Sequence, residues 1–291
     1  MMGYILAALS VVAVFFIIIM VVDGNRFVIR EYTVKSDKVR DGIDIAVLAD
    51  LHNKQYGKDN DKLLTALDEV KPHVVMVAGD ILTAKPGKGH EQAASFMEKV
   101  AEKYPVYYGL GNHEYRMKIY PEDYGNEFAE YMARLEKAGI QVLDNESALI
   151  QVQREDHMTD IRVTGVSIER LYYKRFRKIY MAPDYLDGIA GRADKKAFQI
   201  LLAHNPEYFE EYVHWGADLV FSGHVHGGIM RLPLLGGVIS PKFVFFPKYD
   251  GGLFKKGDSI MVLSRGLGMH TIPVRIFNPA ELVVVHVRPE K

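Results

Sequence analysis

The sequence predicts an α/β domain with two sheets, preceded by one transmembrane helix. Three observations predict this architecture. Strand-like apolar runs alternate with helical patterns in the first half of the chain, and strand-like runs dominate the second half. The first 22 residues contain no charged side chain. A segment of that length and composition is long enough to cross a bilayer as a helix.

Residues 1–22 are interpreted as a membrane anchor. The alternative is a cleaved signal peptide, but the segment has no basic region before its apolar part. The residues at its exit, Val21-Val22-Asp23-Gly24-Asn25, also lack a small-x-small cleavage site. Several basic residues follow the span and none precedes it. The positive-inside rule therefore predicts a single-pass protein with its main domain on the cytoplasmic side.

The first half of the remaining chain repeats a strand and helix pattern. Strand-like runs occupy residues 27–34, 43–48, 74–78 and 106–110. Helical apolar spacing occupies residues 58–70, 91–104 and 123–138. This alternation is typical of a sheet whose strands are joined by helices.

The second half is predicted to be mostly strands. These occupy residues 148–152, 161–166, 200–203, 219–221, 260–264 and 282–287. Residues 227–252 contain nine Gly and Pro residues and are predicted to form a long loop. Because no repeat or low-complexity linker interrupts the chain, residues 27–291 are predicted to form one domain.

Composition excludes several kinds of site. The chain of 291 residues has 36 Lys plus Arg and 37 Asp plus Glu, and its net charge of -1 implies no nucleic-acid partner. It has no cysteine, which excludes disulfides, thiolate nucleophiles and zinc–thiolate sites. Any metal must therefore be bound by nitrogen and oxygen atoms.

Polar clusters of similar chemistry follow several of the apolar runs. They are Asp50-Leu51-His52, Gly79-Asp80, Gly111-Asn112-His113-Glu114, His204-Asn205 and Gly223-His224-Val225-His226. Because neighbouring strands end at one edge of a sheet, these side chains are expected to converge there. Carboxylate, amide and imidazole groups together suit divalent transition metals.

The spacing within two clusters supports a shared metal. Asp50 and His52 are two residues apart, as are His224 and His226. In an extended chain each pair would project to the same side and bind one ion. Glycines directly before the ligands are expected to let the backbone turn tightly. Each motif alone is a common turn, but their joint occurrence indicates a metal site.

The ordered set of motifs resembles the calcineurin-like metallophosphoesterases over residues 50–226. This resemblance implies a four-layer α-β-β-α sandwich of two mixed sheets. It also implies that two divalent ions bind. Nitrogen and oxygen ligands suit Mn, Fe, Zn, Co or Ni, and the sequence does not select among these metals. The implied ligands are Asp50, His52 and His226 for one ion, Asn112, His204 and His224 for the other, with Asp80 bridging both and His113 as the catalytic histidine.

A second resemblance bears on the substrate. Residues 227–233, 264–268 and 273–275 are similar to segments of bacterial membrane-associated phosphodiesterases like the UDP-2,3-diacylglucosamine pyrophosphatases. Asn53 and Lys54 stand where protein Ser/Thr phosphatases have glycine, and Asp80-Ile81-Leu82 lacks their Asp-Arg-Gly continuation. A protein phosphatase is therefore disfavoured.

These observations predict a dinuclear metal-dependent hydrolase of phosphodiester or pyrophosphate bonds, acting on a lipid-linked or nucleotide-lipid substrate at a membrane. Two cations roughly 4 Å apart would offset the negative charge of such a substrate. The alternatives are a broad phosphomonoesterase, a cyclic-nucleotide phosphodiesterase, or a metal-binding scaffold without activity. The presence of His113 favours an enzyme, where it would protonate the leaving group or stabilise developing charge.

Three features have two interpretations each. Glu114 either orients a ligand or forms a surface salt bridge. Arg231 and Arg265 either bind a substrate phosphate or form loop salt bridges. The apolar segments 232–235 and 244–247 form either a lip that contacts lipid or a loop packed on the core.

Overall fold

In the computed structural model, two six-stranded sheets lie face to face between layers of helices. The structure describes residues 1–154, 157–174, 177–232, 235–239, 244–269 and 273–290. The strands are β1 (Phe27–Ser36), β2 (Ile43–Leu48), β3 (Val74–Ala78), β4 (Val106–Gly109), β5 (Gln141–Leu143), β6 (Ser147–Arg154), β7 (His157–Val166), β8 (Phe198–Ala203), β9 (Leu219–Ser222), β10 (Met230–Leu232), β11 (Gly236–Ile239), β12 (Gly252–Lys256), β13 (Ser259–Leu263) and β14 (Ala280–Pro289). The α-helices are α1 (Met2–Asn25), α2 (Asp61–Val70), α3 (Glu91–Ala101), α4 (Asn112–Ile119), α5 (Pro121–Tyr124), α6 (Glu127–Lys137), α7 (Tyr185–Ala190) and α8 (Phe209–Trp215).

Both large sheets are mixed. The first has the order β1-β14-β2-β3-β4-β5, in which only the β14 and β2 pair is antiparallel. The second has the order β12-β13-β9-β8-β7-β6, with antiparallel pairs at its two edges. The central parallel strands of each sheet therefore end at a common edge, which is where a site is expected.

Alternating side chains of the central strands fill two different cores. In β2, Ile45 and Val47 lie between the sheets, whereas Ala46 and Leu48 point toward the helices. A strand that is apolar on both faces is buried on both sides, as the continuous apolar runs predict. The space between the sheets is completed by residues of the second sheet such as Phe221.

Helices cover the two outer faces. Apolar side chains of α2, α3 and α6 pack on the first sheet, and those of α7 and α8 pack on the second. Trp215, at the end of α8, is largely buried and donates a hydrogen bond to the carbonyl of Gly191 at 2.7 Å. The predicted four-layer sandwich of two mixed sheets is therefore confirmed.

The secondary structure differs from the prediction at three places, each for an identifiable reason. The helix predicted over residues 123–138 is interrupted at Gly125, whose φ of 58° ends α5 before α6 begins. Helix α4 was not predicted because its sequence is polar and lacks apolar spacing. The stretch 227–252 is not all loop, since β10 and β11 form a hairpin within it. Residues 233–234 and 240–243 of that stretch lie outside the described residues.

Helix α1 is long and apolar enough to cross a membrane, and it is the single such helix among the described residues. A signal sequence near the N-terminus meets the same criterion. Most of the helix is exposed, but Asp23 and Gly24 near its end are buried against the domain.

Candidate metal centre

The predicted ligands lie where central strands of both sheets end. Asp50 and Asp80 follow β2 and β3, and Asn112 begins α4 just after β4. His204 follows β8, and His224 comes shortly after β9. Because the two sheets face each other, these strand ends bring all seven residues to one edge of the sandwich.

Three of these residues form the first group of ligand atoms. Nε2 of His226 lies 3.4 Å from Oδ1 of Asp50 and 3.2 Å from Nε2 of His52. The two imidazole rings are stacked, with centroids 5.0 Å apart. All three side chains are buried, so their nitrogen and oxygen atoms converge on one point away from solvent.

A second group consists of Asp80, His204 and His224. Nε2 of His204 is 3.0 Å from Oδ2 of Asp80, and its Nδ1 donates to the carbonyl of Ala78 at 2.6 Å. That backbone contact orients the imidazole, as the second nitrogen of a metal-binding histidine commonly does.

Asp80 lies between the two groups. Its Oδ2 is 3.9 Å from Nε2 of His52 in the first group and close to His204 in the second. Its Oδ1 accepts a hydrogen bond from the backbone N–H of His113 at 2.8 Å. One oxygen is therefore fixed, and the other faces both groups.

These residues fit a pair of divalent cations. Oδ1 of Asn112 is buried and has no hydrogen-bond partner within the described part of the chain. Burial raises the pKa of Asp50 to about 7, and the nearby charge of Asp80 adds to this effect. Burial also lowers the pKa of His204, but the carboxylates of Asp80 and Asp50 outweigh it and raise that pKa to about 10. Buried carboxylates of this kind require positive charge nearby.

An extended backbone was predicted for the pairs Asp50–His52 and His224–His226, and this prediction is wrong. Left-handed backbone conformations occur at Asp50, His52, Asp80, His224 and His226, with φ between 50° and 74°. Each of these residues follows a strand in a tight turn, where such strain marks functional sites. As a result His226 joins Asp50, whereas His224 joins Asp80.

Two of the three glycines beside the candidate ligands are needed because a side chain would not fit, and not because of a left-handed backbone conformation. A Cβ on Gly111 would lie 2.2 Å from Oδ1 of Asp80, and a Cβ on Gly223 would lie 2.3 Å from Oδ2 of Asp50. Neither glycine has a left-handed φ, although Gly79 does, at 88°. The prediction that glycines serve mainly to turn the chain therefore holds at Gly79 alone of these three.

Glu114 is a fully buried residue that joins two ligand loops, which rules out the surface salt bridge. Its carboxylate accepts hydrogen bonds from the backbone N–H groups of Asp80 and Ile81 at 2.9 Å and of Gly111 at 3.0 Å. The hydroxyl of Tyr108 donates to it at 2.8 Å. Burial, followed by the charge of Asp80, raises the pKa of Glu114 to about 7.

A cavity of about 640 Å³ opens over the site. Asp80, Asn112, His113, His224 and His226 form part of its wall. Basic side chains form another part and were not predicted; they are Arg116, Arg170, Lys174, Arg177, Lys178 and Lys248. The sequence signal was present, because five basic residues lie among the nine from 170 to 178. Residues 175–176 lie outside the described part.

The two arginines considered in the sequence form salt bridges instead. Arg231 contacts Asp250 at 3.1 Å, and Arg265 contacts Glu281 at 3.6 Å. Neither side chain is among the described residues that line the cavity. The loop salt-bridge interpretation is therefore the one that their contacts support.

Part of the predicted apolar lip is exposed. The side chains of Phe245 and Phe246 are 67% and 59% exposed, so neither packs on the core. Val244 and Pro247, on either side of them, line the cavity. Leu235 is also exposed, whereas residues 233 and 234 of the lip lie outside the described residues. We call Leu235, Val244, Phe245 and Phe246 the apolar rim.

Comparison with known proteins identifies relatives over most of the chain. The family model of the calcineurin-like phosphoesterases matches residues 43–228. An uncharacterized metallophosphoesterase, YkuE of Bacillus subtilis, is 26% identical over 87% of this chain and 83% of its own length. Phosphodiesterase YaeI of Escherichia coli is 25% identical over 77% of this chain and 74% of its own length. Among solved structures, NAD nucleotidase of Haemophilus influenzae aligns with a TM-score of 0.46 and 16% identity over 78% of this chain and 51% of its own.

Proposed function

Because this chain belongs to the calcineurin-like phosphoesterase family, we propose that it hydrolyses a phosphodiester or pyrophosphate bond in a lipid-linked or nucleotide-lipid substrate at a membrane surface. It is a metal-dependent phosphoesterase. The observation that carries the finer proposal is a cavity lined by candidate ligands, by cations that have no ion pair among the described residues, and by Val244 of the apolar rim.

The ligand groups support a dinuclear centre. Asp50, His52 and His226 would hold one ion, and Asn112, His204 and His224 would hold the other, with Asp80 shared between them. Nitrogen and oxygen donors suit Mn, Fe, Zn, Co or Ni. When bound, two such ions supply positive charge to the phosphoryl oxygens and lower the pKa of a water molecule.

His113 is the proposed catalytic residue. Its imidazole lines the cavity, and its Nε2 lies 4.0 Å from Oδ2 of Asp80. An imidazole N–H in this position can donate to an oxygen on which negative charge develops during hydrolysis.

The basic wall supports a substrate with more than one anionic group. Lys178 and Lys248 contact Glu211 and Glu210, but Lys174 and Arg177 form no ion pair within the described ranges. Unpaired cations beside a metal centre provide charge-assisted hydrogen bonds for a second phosphate. A pyrophosphate, or a diester that bears another phosphate, has that chemistry.

The apolar rim supports a lipid portion. Phe277, which packs against helix α1, follows Ile276, and Ile276 pairs with Met230 of the β10–β11 hairpin. Ile239 of the same hairpin pairs with Phe245. The rim therefore belongs to the side of the domain that carries the membrane helix, where exposed aromatic side chains favour lipid.

We also propose the membrane arrangement. Residues 1–22 would remain as a single-pass anchor, with residues 27–291 as the catalytic domain on the cytoplasmic side. An anchored protein should stay with membranes after carbonate extraction, and its mature N-terminus should precede residue 22. A mature chain that begins after the helix would establish a cleaved signal sequence.

The decisive assay compares two model substrates and two natural-type ones. Full-length protein in detergent is expected to cleave bis-p-nitrophenyl phosphate faster than p-nitrophenyl phosphate, with one or more of the divalent metals named above. A preference for the monoester would indicate a phosphomonoesterase, and metal binding without activity would indicate a scaffold. A pyrophosphate-linked nucleotide-lipid should be cleaved faster than its deacylated counterpart, because binding of the acyl chain can contribute to the reaction.

The basic wall can be tested with matched variants. Lys174→Met and Arg177→Met are expected to raise KM for the pyrophosphate-linked substrate by about tenfold or more, through loss of a charge-assisted contact. The KM for bis-p-nitrophenyl phosphate should change little. Lys195→Met, on an exposed residue that is not among the cavity-lining ones, is the control. An equal rise in KM for both substrates would show that Lys174 and Arg177 do not bind a second phosphate.

A further inference from the structure

The end of helix α1 is anchored in the catalytic domain through a buried carboxylate. Asp23 is 2% exposed, although most of the helix before it is exposed. Its Oδ2 accepts a hydrogen bond from the backbone N–H of Asn278 at 3.0 Å, and its Oδ1 accepts one from Nη2 of Arg26 at 2.8 Å. Burial of a carboxylate is costly unless it is paired, so these contacts fix the position of Asp23.

Asn278 connects this junction to a candidate metal ligand. Its Nδ2 donates hydrogen bonds to the carbonyl of His226 at 2.8 Å and to the carbonyl of Gly228 at 2.7 Å. Asn278 is fully buried, and a Cβ on Gly227 would lie 2.5 Å from its Oδ1. The side-chain amide is therefore enclosed beneath the turn that carries His226.

The neighbouring residue makes a second contact with the helix. The ring centroid of Phe277 lies 6.5 Å from that of Phe15 and 6.3 Å from that of Phe16. Phe16 precedes Asp23 by about two helical turns, so the contact extends some 10 Å along α1. Phe277 also has a φ of 53°, a strained conformation for an aromatic residue that its surroundings must maintain.

We propose that Asp23 is a positioning residue that couples the membrane helix to the metal centre. The end of α1 holds Asn278, and Asn278 holds the backbone of His226, whose left-handed φ of 51° needs such support. The inference rests on the proposed role of His226 as a ligand. Its consequence is that the segment before Phe27 contributes to metal affinity as well as to membrane attachment.

The test measures metal binding by the full-length protein in detergent, with Mn²⁺ titrated into the metal-free form. Asp23→Ala should lower the affinity for one of the two ions by about tenfold. A loss of this size is typical when a residue that holds a metal ligand in place is removed. Asp23→Asn should remain close to wild type, because its amide oxygen still accepts from Asn278. Arg26→Ala, which leaves that hydrogen bond intact, should also bind normally.

Further variants separate this inference from the proposed function. His226→Ala should lose one ion; if it kept both, the proposed ligand role itself would fail. If His226→Ala lost an ion while Asp23→Ala bound both as tightly as wild type, the coupling would be overturned and the function would stand. Equal weakening in Asp23→Ala and Asp23→Asn would also overturn it, because the acceptor oxygen would then be irrelevant.

A variant at Asn278, the other end of the connection, tests the proposal without a change in α1, and its folding is checked separately. Asn278→Ala removes the hydrogen bonds to the carbonyls of His226 and Gly228 without altering α1. It should lower the affinity for the same ion as Asp23→Ala does. In both variants, the Co²⁺ absorption bands of that one ion should change. Wild-type affinity in folded Asn278→Ala protein, with its thermal unfolding midpoint retained in EDTA, would contradict the proposal.

Discussion

The backbone N–H of Ala84 donates a hydrogen bond to Nδ1 of His113 at 2.8 Å. Because a backbone N–H can only donate, Nδ1 must be the unprotonated nitrogen of the ring. The proton of the neutral imidazole therefore lies on Nε2, which is 4.0 Å from Oδ2 of Asp80. Burial lowers the pKa of His113, which further favours the neutral form. His113 is thus arranged to donate a hydrogen bond more readily than to release a proton.

This arrangement predicts how loss of His113 affects different leaving groups. His113→Ala should retain both metals and lose about 10²- to 10³-fold in kcat, because a donor to the developing charge is removed. The loss should be similar for a nitrophenyl ester and for an alkyl ester. A much larger loss with the alkyl ester would mean that His113 protonates the leaving group. His73→Ala, outside the cavity, serves as the control.

Asp80 is expected to determine metal stoichiometry. Asp80→Asn should reduce the bound metal from about two ions to at most one per chain, with nearly complete loss of activity, because the proposed bridging carboxylate would serve both ions. Elemental analysis of the purified proteins provides the measurement. Asp160→Asn, on an exposed residue of β7, is the matched control. Two retained metals with normal turnover would exclude Asp80 as the bridge.

Glu114 is expected to be a large contributor to stability. Glu114→Ala leaves the buried N–H groups of Asp80, Ile81 and Gly111 without their acceptor, and each such loss costs about 1–3 kcal/mol. We therefore expect the free energy of unfolding of metal-free protein to fall by at least about 3 kcal/mol. Urea denaturation measures it.

Two further variants isolate the cause of that loss. Glu114→Gln retains one acceptor oxygen and should lose less stability than Glu114→Ala. Glu122→Ala, on the exposed face of α5, should change the free energy of unfolding by less than about 0.5 kcal/mol. Equal stability of Glu114→Ala and wild type would show that the two ligand loops do not depend on this carboxylate.

The sequence predicted the layers of the fold because apolar patterns report burial directly. The runs at residues 43–48 and 74–78 are apolar on both faces and form central strands buried on both sides. Helix α4 could not be predicted in this way, since its residues are mostly polar, and its first turn is held by the hydrogen bond that the backbone N–H of Gly111 donates to Glu114. A helix whose side chains line a functional site can lack the regular apolar spacing of a helix that packs on the core.

The candidate ligands were recognised from residue type and order, but their geometry was not. The left-handed conformations at residues such as Asp50 and His226 could not be read from the sequence. Residues other than glycine rarely adopt a positive φ, so conformational propensities predict a negative φ at these positions. Contacts between distant segments, such as Asp23 with Asn278, are equally invisible in a single sequence. Glu114 was ambiguous for the same reason, since its burial depends on contacts with Asp80 and Ile81, which are more than 30 residues away in the sequence.

The apolar rim is predicted to govern activity on acylated substrate. Phe245→Ser and Phe246→Ser should reduce kcat/KM for a pyrophosphate-linked nucleotide-lipid, because burial of each aromatic ring against an acyl chain contributes about 2 kcal/mol, or roughly 30-fold. Activity on the deacylated substrate and on bis-p-nitrophenyl phosphate should be unchanged. Tyr180→Ser, on an aromatic residue that is 78% exposed and is not a cavity-lining residue, controls for general loss of surface hydrophobicity. If both rim variants cleaved acylated and deacylated substrates at wild-type rates, the lipid portion of the proposal would fail, while the metal-dependent phosphoesterase would remain.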